Sequence, residues 1–269
     1  MRVSPGPTRR IPVLTGVFLI LTGTLLSACQ RELHFDPADA PGHNIQLHFK
    51  AVVQDDTEDM VFGSSYTNAF NESFQVDQFK FYVHAIQLIN TDSGKVFQVP
   101  VDQYYLVNFR DSASCVLPIT VPSYKYNRLA FMLGVDSARN VSGAQTGALD
   151  PLNGMFWTWN TGYIMAKLEG QSPVSTAPGH AFEYHIGGFR QADNVVRQIT
   201  LLFPYGDAVD MQPNGHSSIH ITADVLAWFK NPHDIKISTN PTCMTPGTLA
   251  MQIAENYAKM FTVTSIHNE

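Results

Sequence analysis

Alternation of apolar and polar positions dominates the chain from residue 45 onward. In Ile45-Gln-Leu-His-Phe-Lys-Ala-Val-Val53, Ile45, Leu47, Phe49, Ala51 and Val53 share one phase, the period-2 signature of a half-buried strand. Phe74 to Leu88 repeats the pattern, with Phe79, Phe81, Val83 and Ala85 in phase. The turn "NTDSGK" and a return strand from Val96 to Val101 follow. Further strands are expected at Tyr104–Phe109, Leu129–Val135, Phe156–Leu168, Phe182–Ile186, Arg197–Phe203 and Ile219–Phe229, separated by Pro, Gly, Asn and Asp. One stretch has helical spacing instead. Leu249, Ile253, Tyr257 and Phe261 recur every fourth residue, flanked by Ala254 and Ala258, with Thr245-Pro246 as cap and first helical position. Many short strands with one late helix predict an all-β fold, a two-sheet β-sandwich with one short C-terminal helix.

The N-terminus breaks this pattern. Arg2, Arg9 and Arg10 precede an apolar run from Ile11 to Leu26, which ends in Leu26-Ser27-Ala28-Cys29. A basic start, an apolar stretch and small residues before a cysteine have the form of a lipoprotein signal peptide. The run is on the short side for a transmembrane span. The expected organisation is therefore a signal peptide over 1–28, a tether over 29–44 and one domain over 45–269. Cys29 is the expected lipidation site, which places the domain in the cell envelope, anchored to a membrane. The residues after Cys29, Gln30-Arg31-Glu32, hold no acidic run, which favours the outer membrane with the domain facing the periplasm.

Removing the leader changes the charge. The whole chain carries −6; without its three leader arginines, 14 basic residues face 23 acidic ones, a net −9. That excludes the basic footprint of a nucleic-acid binder. Cys115 and Cys243 remain. In an oxidising compartment they could form a disulfide or stand apart as two buried thiols. No Gly-x-Ser-x-Gly elbow, phosphate-binding loop or His-Glu-x-x-His helix occurs, and the protein is expected not to be an enzyme.

Candidate chemistry lies in histidine and tryptophan. His34, His43, His180, His216, His233 and His267 fall in expected loops or tails. His48, His84, His185 and His220 fall within strands, each flanked by apolar neighbours, so all four point away from the main apolar phase. On adjoining strands they could share a metal ion, and imidazole suits copper, zinc, iron or nickel. Trp157 and Trp159 sit one residue apart in "MFWTWN", and alternation along a single strand would put both on one face. Apolar residues in both phases there predict a strand buried on both sides or lying under a long loop. The polar, Gly-rich stretch before it is long, with Asp136, Arg139, Asn140 and Asp150 placed to hold it by bonds to the backbone.

Four segments carry a resemblance: "FKFYVHAIQL", "GVDSARNVSGAQTGALDPLNGMFWTWNTGYIMAKLEG", "FEYHIGGF" and "IAENYAKMF". Together they resemble the MbnP-like family, in the lipoprotein branch found in Bacteroidota. The resemblance implies a secreted all-β domain whose methanotroph relatives bind copper. It also implies a tryptophan that a diheme partner of the cytochrome-c peroxidase type oxidises to kynurenine. His185 lies in the family motif, and Trp157 and Trp159 border the implied site. The sequence departs from the copper-binding members in two places. Arg139-Asn140-Val141 stands where they carry Asn-His, and His185-Ile186-Gly187-Gly188-Phe189 keeps the histidine without the cysteine that follows it there. Copper is the expected ligand; a metal-free interaction lipoprotein using the Trp strand and its loop is the alternative.

Overall fold

The computed structural model describes residues 33–34, 42–53, 58–159, 162–210 and 216–268. The expected signal peptide, Cys29 and most of the tether lie outside the described residues. Within the tether region, Leu33–His34 pairs in parallel with Lys95–Val96, and strand structure resumes at Gly42. The main strands, in chain order, are β1 (Gly42–Val53), β2 (Ser73–Asn90), β3 (Lys95–Gln98), β4 (Tyr104–Asn108), β5 (Val116–Pro122), β6 (Arg128–Leu133), β7 (Phe156–Trp157), β8 (Gly162–Gln171), β9 (Ala181–Gly187), β10 (Arg197–Leu202), β11 (Ser217–Asp224), β12 (Thr242–Cys243) and β13 (Phe261–Asn268). The helices are α1 (Ser137–Val141) and α2 (Thr248–Tyr257).

The strands form the expected two principal sheets. β2 is the spine of the larger one. Its first half pairs with β8 and its second half with β6, while β4 and β3 run along it as well. β9 continues the sheet beyond β8, then β12; β10 lies beyond β6. Simple alternation fails midway along β2. Ala85 has φ 49° and lies beside a register shift against β6. Phe79, Phe81 and Val83 are buried before it, and Ile86 and Leu88 after it, while Ala85 itself leaves the core. An extra residue at such a bulge moves the buried set from odd to even positions.

The smaller sheet runs β13–β11–β1–β5. β11 and β1 are parallel over Ser217–Asp224 and Ile45–Val52; the other pairings are antiparallel. β1 buries Ile45, Leu47, Phe49 and Ala51 and turns Gln46, His48 and Lys50 outward. Between the sheets, Phe49 and Phe261 meet Phe81 and Phe131 edge-on, with centroids 5.2–6.0 Å apart.

The last helix is shorter than its spacing suggests. α2 starts after Gly247 rather than at Thr245-Pro246 and ends at Tyr257. Phe261 opens β13 instead, opposite Ala223. The run Phe-Thr-Val-Thr-Ser-Ile alternates and is rich in β-branched residues, and that preference outweighs one coincidental helical interval. α2 is docked, not free: Ile253, Ala254 and Tyr257 are fully buried, and the Tyr257 hydroxyl donates to the Val195 carbonyl at 3.1 Å. Strand β11 likewise stops early. Asp224 caps a 3₁₀ turn over Val225–Trp228, which places Trp228 in the core against Tyr257.

Cys115 and Cys243 are free, buried thiols, so no bridge joins them. One ends the turn before β5, and the other pairs with Tyr184 on β9.

Candidate functional site

The outer face of the larger sheet is roofed by residues 134–155. Asp136 caps α1, accepting from the Arg139 amide at 3.0 Å. Asn140 ties the roof to the sheet: its amide group donates to the Val135 carbonyl at 2.7 Å and accepts from the Tyr163 amide at 2.8 Å. Asp150 accepts from the Leu152 amide at 2.8 Å, and Gly154 ends that turn with φ 70°. These are the bonds expected of Asp136, Asn140 and Asp150; Arg139 instead uses its guanidinium on the Gln145 side chain at 3.3 Å. Beneath the roof, the Tyr163 hydroxyl donates to the Leu149 carbonyl at 2.8 Å.

This loop delivers the two tryptophans, which part company. The expected strand over Phe156–Leu168 is broken into a hairpin, with Phe156 opposite Tyr163 and Trp157 opposite Gly162. Thr158 and Trp159 form part of its turn. Trp157 is 5 % exposed and Trp159 62 %, with ring centroids 5.6 Å apart. One indole is therefore core and the other is surface, because the turn ends the alternation that would have kept them on one face. The Trp157 ring lies on the backbone of Gly187: a Cβ there would sit 2.5 Å from the ring. The Trp157 indole N–H is buried with no acceptor among the described residues. A cleft of about 120 Å³ beside it is bounded by Tyr163, Gly188, Phe189, Arg190 and Pro246.

His185 lies two residues before Gly187 on β9, and so on the same face. Its Nε2 is 2.6 Å from Glu169 Oε1, and the Lys167 ammonium is 3.2 Å from the same oxygen. Register explains the group: Lys167 is opposite His185 on one side and Lys80 on the other. Burial alone would raise the Glu169 carboxyl, but the His185 hydrogen bond and the Lys167 charge hold it down to about 2. Burial and Lys167 together lower Lys80, whose ammonium donates to the Asn153 carbonyl of the roof at 3.2 Å. Sequence reading misses Glu169 and Lys167, although both share one phase of "AKLEG".

The other candidate histidines do not join His185. His84 is buried under the roof, stacked on Tyr104 at 4.8 Å, and its Nδ1 has no partner among the described residues. Burial, outweighing nearby Asp136, lowers its pKa. His48 and His220 belong to the smaller sheet, directly opposite each other with rings stacked at 4.8 Å. A single site built from all four is excluded by their placement on two sheets. Three histidines expected in loops or tails are in strands instead: His34 pairs with Val96, His43 is buried in β1, and His267 lies in β13 with its ring 4.9 Å from that of His220. Among the described residues, no three His, Cys, Asp or Glu side chains converge as they stand on one metal position.

Fold and site together define a two-sheet β-protein in which an aromatic hairpin is laid over a histidine-bearing strand. The chain belongs to the MbnP family, whose family model, described as MbnP, matches residues 42–245. A solved structure, MbnP from Methylosinus trichosporium, superposes with a TM-score of 0.50 at 15 % identity, covering 85 % of this chain and 99 % of that one. At that identity the likeness concerns the fold. A comparison with curated proteins finds no match.

Proposed function

We propose that this is a lipid-anchored protein of the cell envelope that binds copper, with His185 as its principal ligand. Membership of the MbnP family, which is associated with copper, supports copper as the class of ligand. One observation carries the reading to particular residues: His185, Glu169 and Trp157 are gathered on one face of the larger sheet. The donor set fits. An imidazole nitrogen and a carboxylate oxygen 2.6 Å apart are both ligands that copper accepts. Copper, when bound, would supply one-electron redox chemistry. The chain's part would be to hold the ion through His185 and Glu169 and to wall the site with the Trp157 indole. We propose a binding protein rather than an enzyme.

The exposed indole suits the expected diheme peroxidase-type partner. Trp159 offers a surface ring in contact with buried Trp157, so an oxidant docked at the surface could withdraw electrons from either. Kynurenine should then appear only on coexpression with such a partner, as a mass change on the peptide spanning both tryptophans.

The deciding measurement is copper uptake by the full chain in detergent. His185→Ala should weaken binding about 10-fold or more, each factor of ten being ~1.4 kcal/mol. Undiminished uptake by that variant, or none by the wild type, would favour the second reading, a metal-free interaction lipoprotein. The exposed apolar side chains Trp159, Leu152 and Val141 on the hairpin and its roof support that reading.

Anchoring is tested separately. Cys29→Ser should leave the protein unprocessed or move it out of the detergent phase on partitioning, since each acyl CH₂ buried contributes about 0.8 kcal/mol. Normal processing with unchanged partitioning would count against a lipid at Cys29. Fractionation of the wild type should place it with the outer membrane, protected from protease in intact cells.

A further inference from the structure

We propose that His48, His220 and His267 form a second metal site, on the outer face of the smaller sheet, that takes a divalent transition ion such as Zn²⁺ or Ni²⁺. The three histidines come from three similar tripeptides, Gln46-Leu47-His48, Ser218-Ile219-His220 and Ser265-Ile266-His267. In each, the middle residue belongs to the inner phase of its strand and the histidine faces outward. The tripeptides lie far apart in the chain, yet β1, β11 and β13 are adjacent.

Register brings the rings together. His220 is directly opposite His48, while His267 is opposite Ser218 and so diagonal to His220. The centroids are 4.8 Å apart for His48 and His220, and 4.9 Å for His220 and His267. Each Nε2 has a neutral partner two residues earlier on its own strand: Gln46 Oε1 at 2.9 Å, Ser218 Oγ at 3.2 Å and Ser265 Oγ at 3.3 Å. The nearby cation Lys50 is paired with Asp59 at 2.6 Å.

An ion holds imidazole nitrogen at about 2.0–2.1 Å, which puts two tetrahedral ligands roughly 3.3 Å apart. Neighbouring strands are about 4.8 Å apart. The outer two rings must therefore lean over His220, and the nitrogens do not converge as they stand. That change is one of side-chain rotation, since the backbone on all three strands is fixed by ladder bonds. Three nitrogens with solvent on the open side give the three-ligand-plus-water arrangement common for zinc. Imidazole ligands without thiolate also suit nickel and copper.

The site is independent of the copper reading, and its test separates the two. The full chain, in detergent and without a polyhistidine tag, is titrated calorimetrically with Zn²⁺ and with Ni²⁺. In the His185→Ala variant, which removes the proposed copper ligand, one ion per chain should still bind at micromolar concentration. Added to that variant, His220→Ala and His267→Ala should each weaken the binding about 10-fold or more. Failure of both ions to bind, binding that survives His220→Ala, or binding that disappears with His185→Ala would each overturn the proposal. Metal-free thermal unfolding of the variants, matched to the wild type, checks that the sheet is intact. His48→Gln supplies a further variant that keeps a polar side chain on the strand and removes the ligand.

Discussion

Phe261→Ala should lower the unfolding free energy by about 3–5 kcal/mol, read from denaturant titration. The side chain is 6 % exposed and stands between the sheets. It meets Phe81 at 5.3 Å, Phe131 at 5.2 Å and Phe49 at 6.2 Å. Two of those rings belong to the opposite sheet, so truncation leaves a void that neither sheet can close alone. The lost edge-to-face contacts add to the lost burial, at roughly 0.5–1.5 kcal/mol for a good aromatic pair. Phe261→Leu, which retains most of the volume, should cost distinctly less. Equal costs for the two variants would show that the cavity is not the source of the effect.

The second large effect is expected at Glu72, which is 5 % exposed and has no salt-bridge partner within 4.0 Å among the described residues. Its carboxylate instead accepts from the Asn68 side chain at 2.8 Å, the Ile237 amide at 2.8 Å, the Ser238 amide at 3.1 Å and the Ser238 hydroxyl at 2.6 Å. This single side chain thus fixes the loop after residue 231 to the start of β2. Glu72→Ala strands several buried donors and should cost about 3 kcal/mol or more, at roughly 1–3 kcal/mol for each unsatisfied group. A pH dependence accompanies it. Burial by itself would raise the carboxyl, but the four donated bonds outweigh it and the pKa falls below its ordinary 4.5. A lowered folded-state pKa stabilises fully above pH 4.5. That contribution is lost as pH falls from there through the folded value. Wild-type stability should therefore decline in this acid range, and Glu72→Gln should flatten part of the decline. Parallel acid profiles for the two proteins would contradict the assignment.

The sequence made the strands of the inner phase legible, because burial on one face writes itself as alternation. It left unreadable whatever depends on a single local departure. The bulge at Ala85 reverses the buried phase without a Gly or Pro to announce it. The turn after Trp157 splits a stretch that is apolar in both phases. Phe261 satisfies a helical interval and a strand pattern at once, and only the docking of β13 against β11 decides between them. Site residues follow the same division. His185 could be singled out from its motif, but Glu169 needs the register of β8 against β9. His48 and His220 could be seen to face outward, but not to be neighbours, since their pairing joins distant parts of the chain in parallel. His267 reads as a tail until β13 is recognised as a strand.

That parallel pairing also bears on the order in which the protein can fold. β1 is completed by β11, and β11 by β13, the last strand described. A chain made N-terminus first presents β1 long before its partner arrives. Until then Ile45 and Leu47 have, among the described strands, only the antiparallel β5 beside them. The larger sheet, built mostly from segments between β2 and β10, can assemble earlier. Long-range pairing of this kind makes folding slow and leaves an apolar strand edge available to other chains meanwhile. The window of aggregation therefore closes only once β13 has taken its place beside β11.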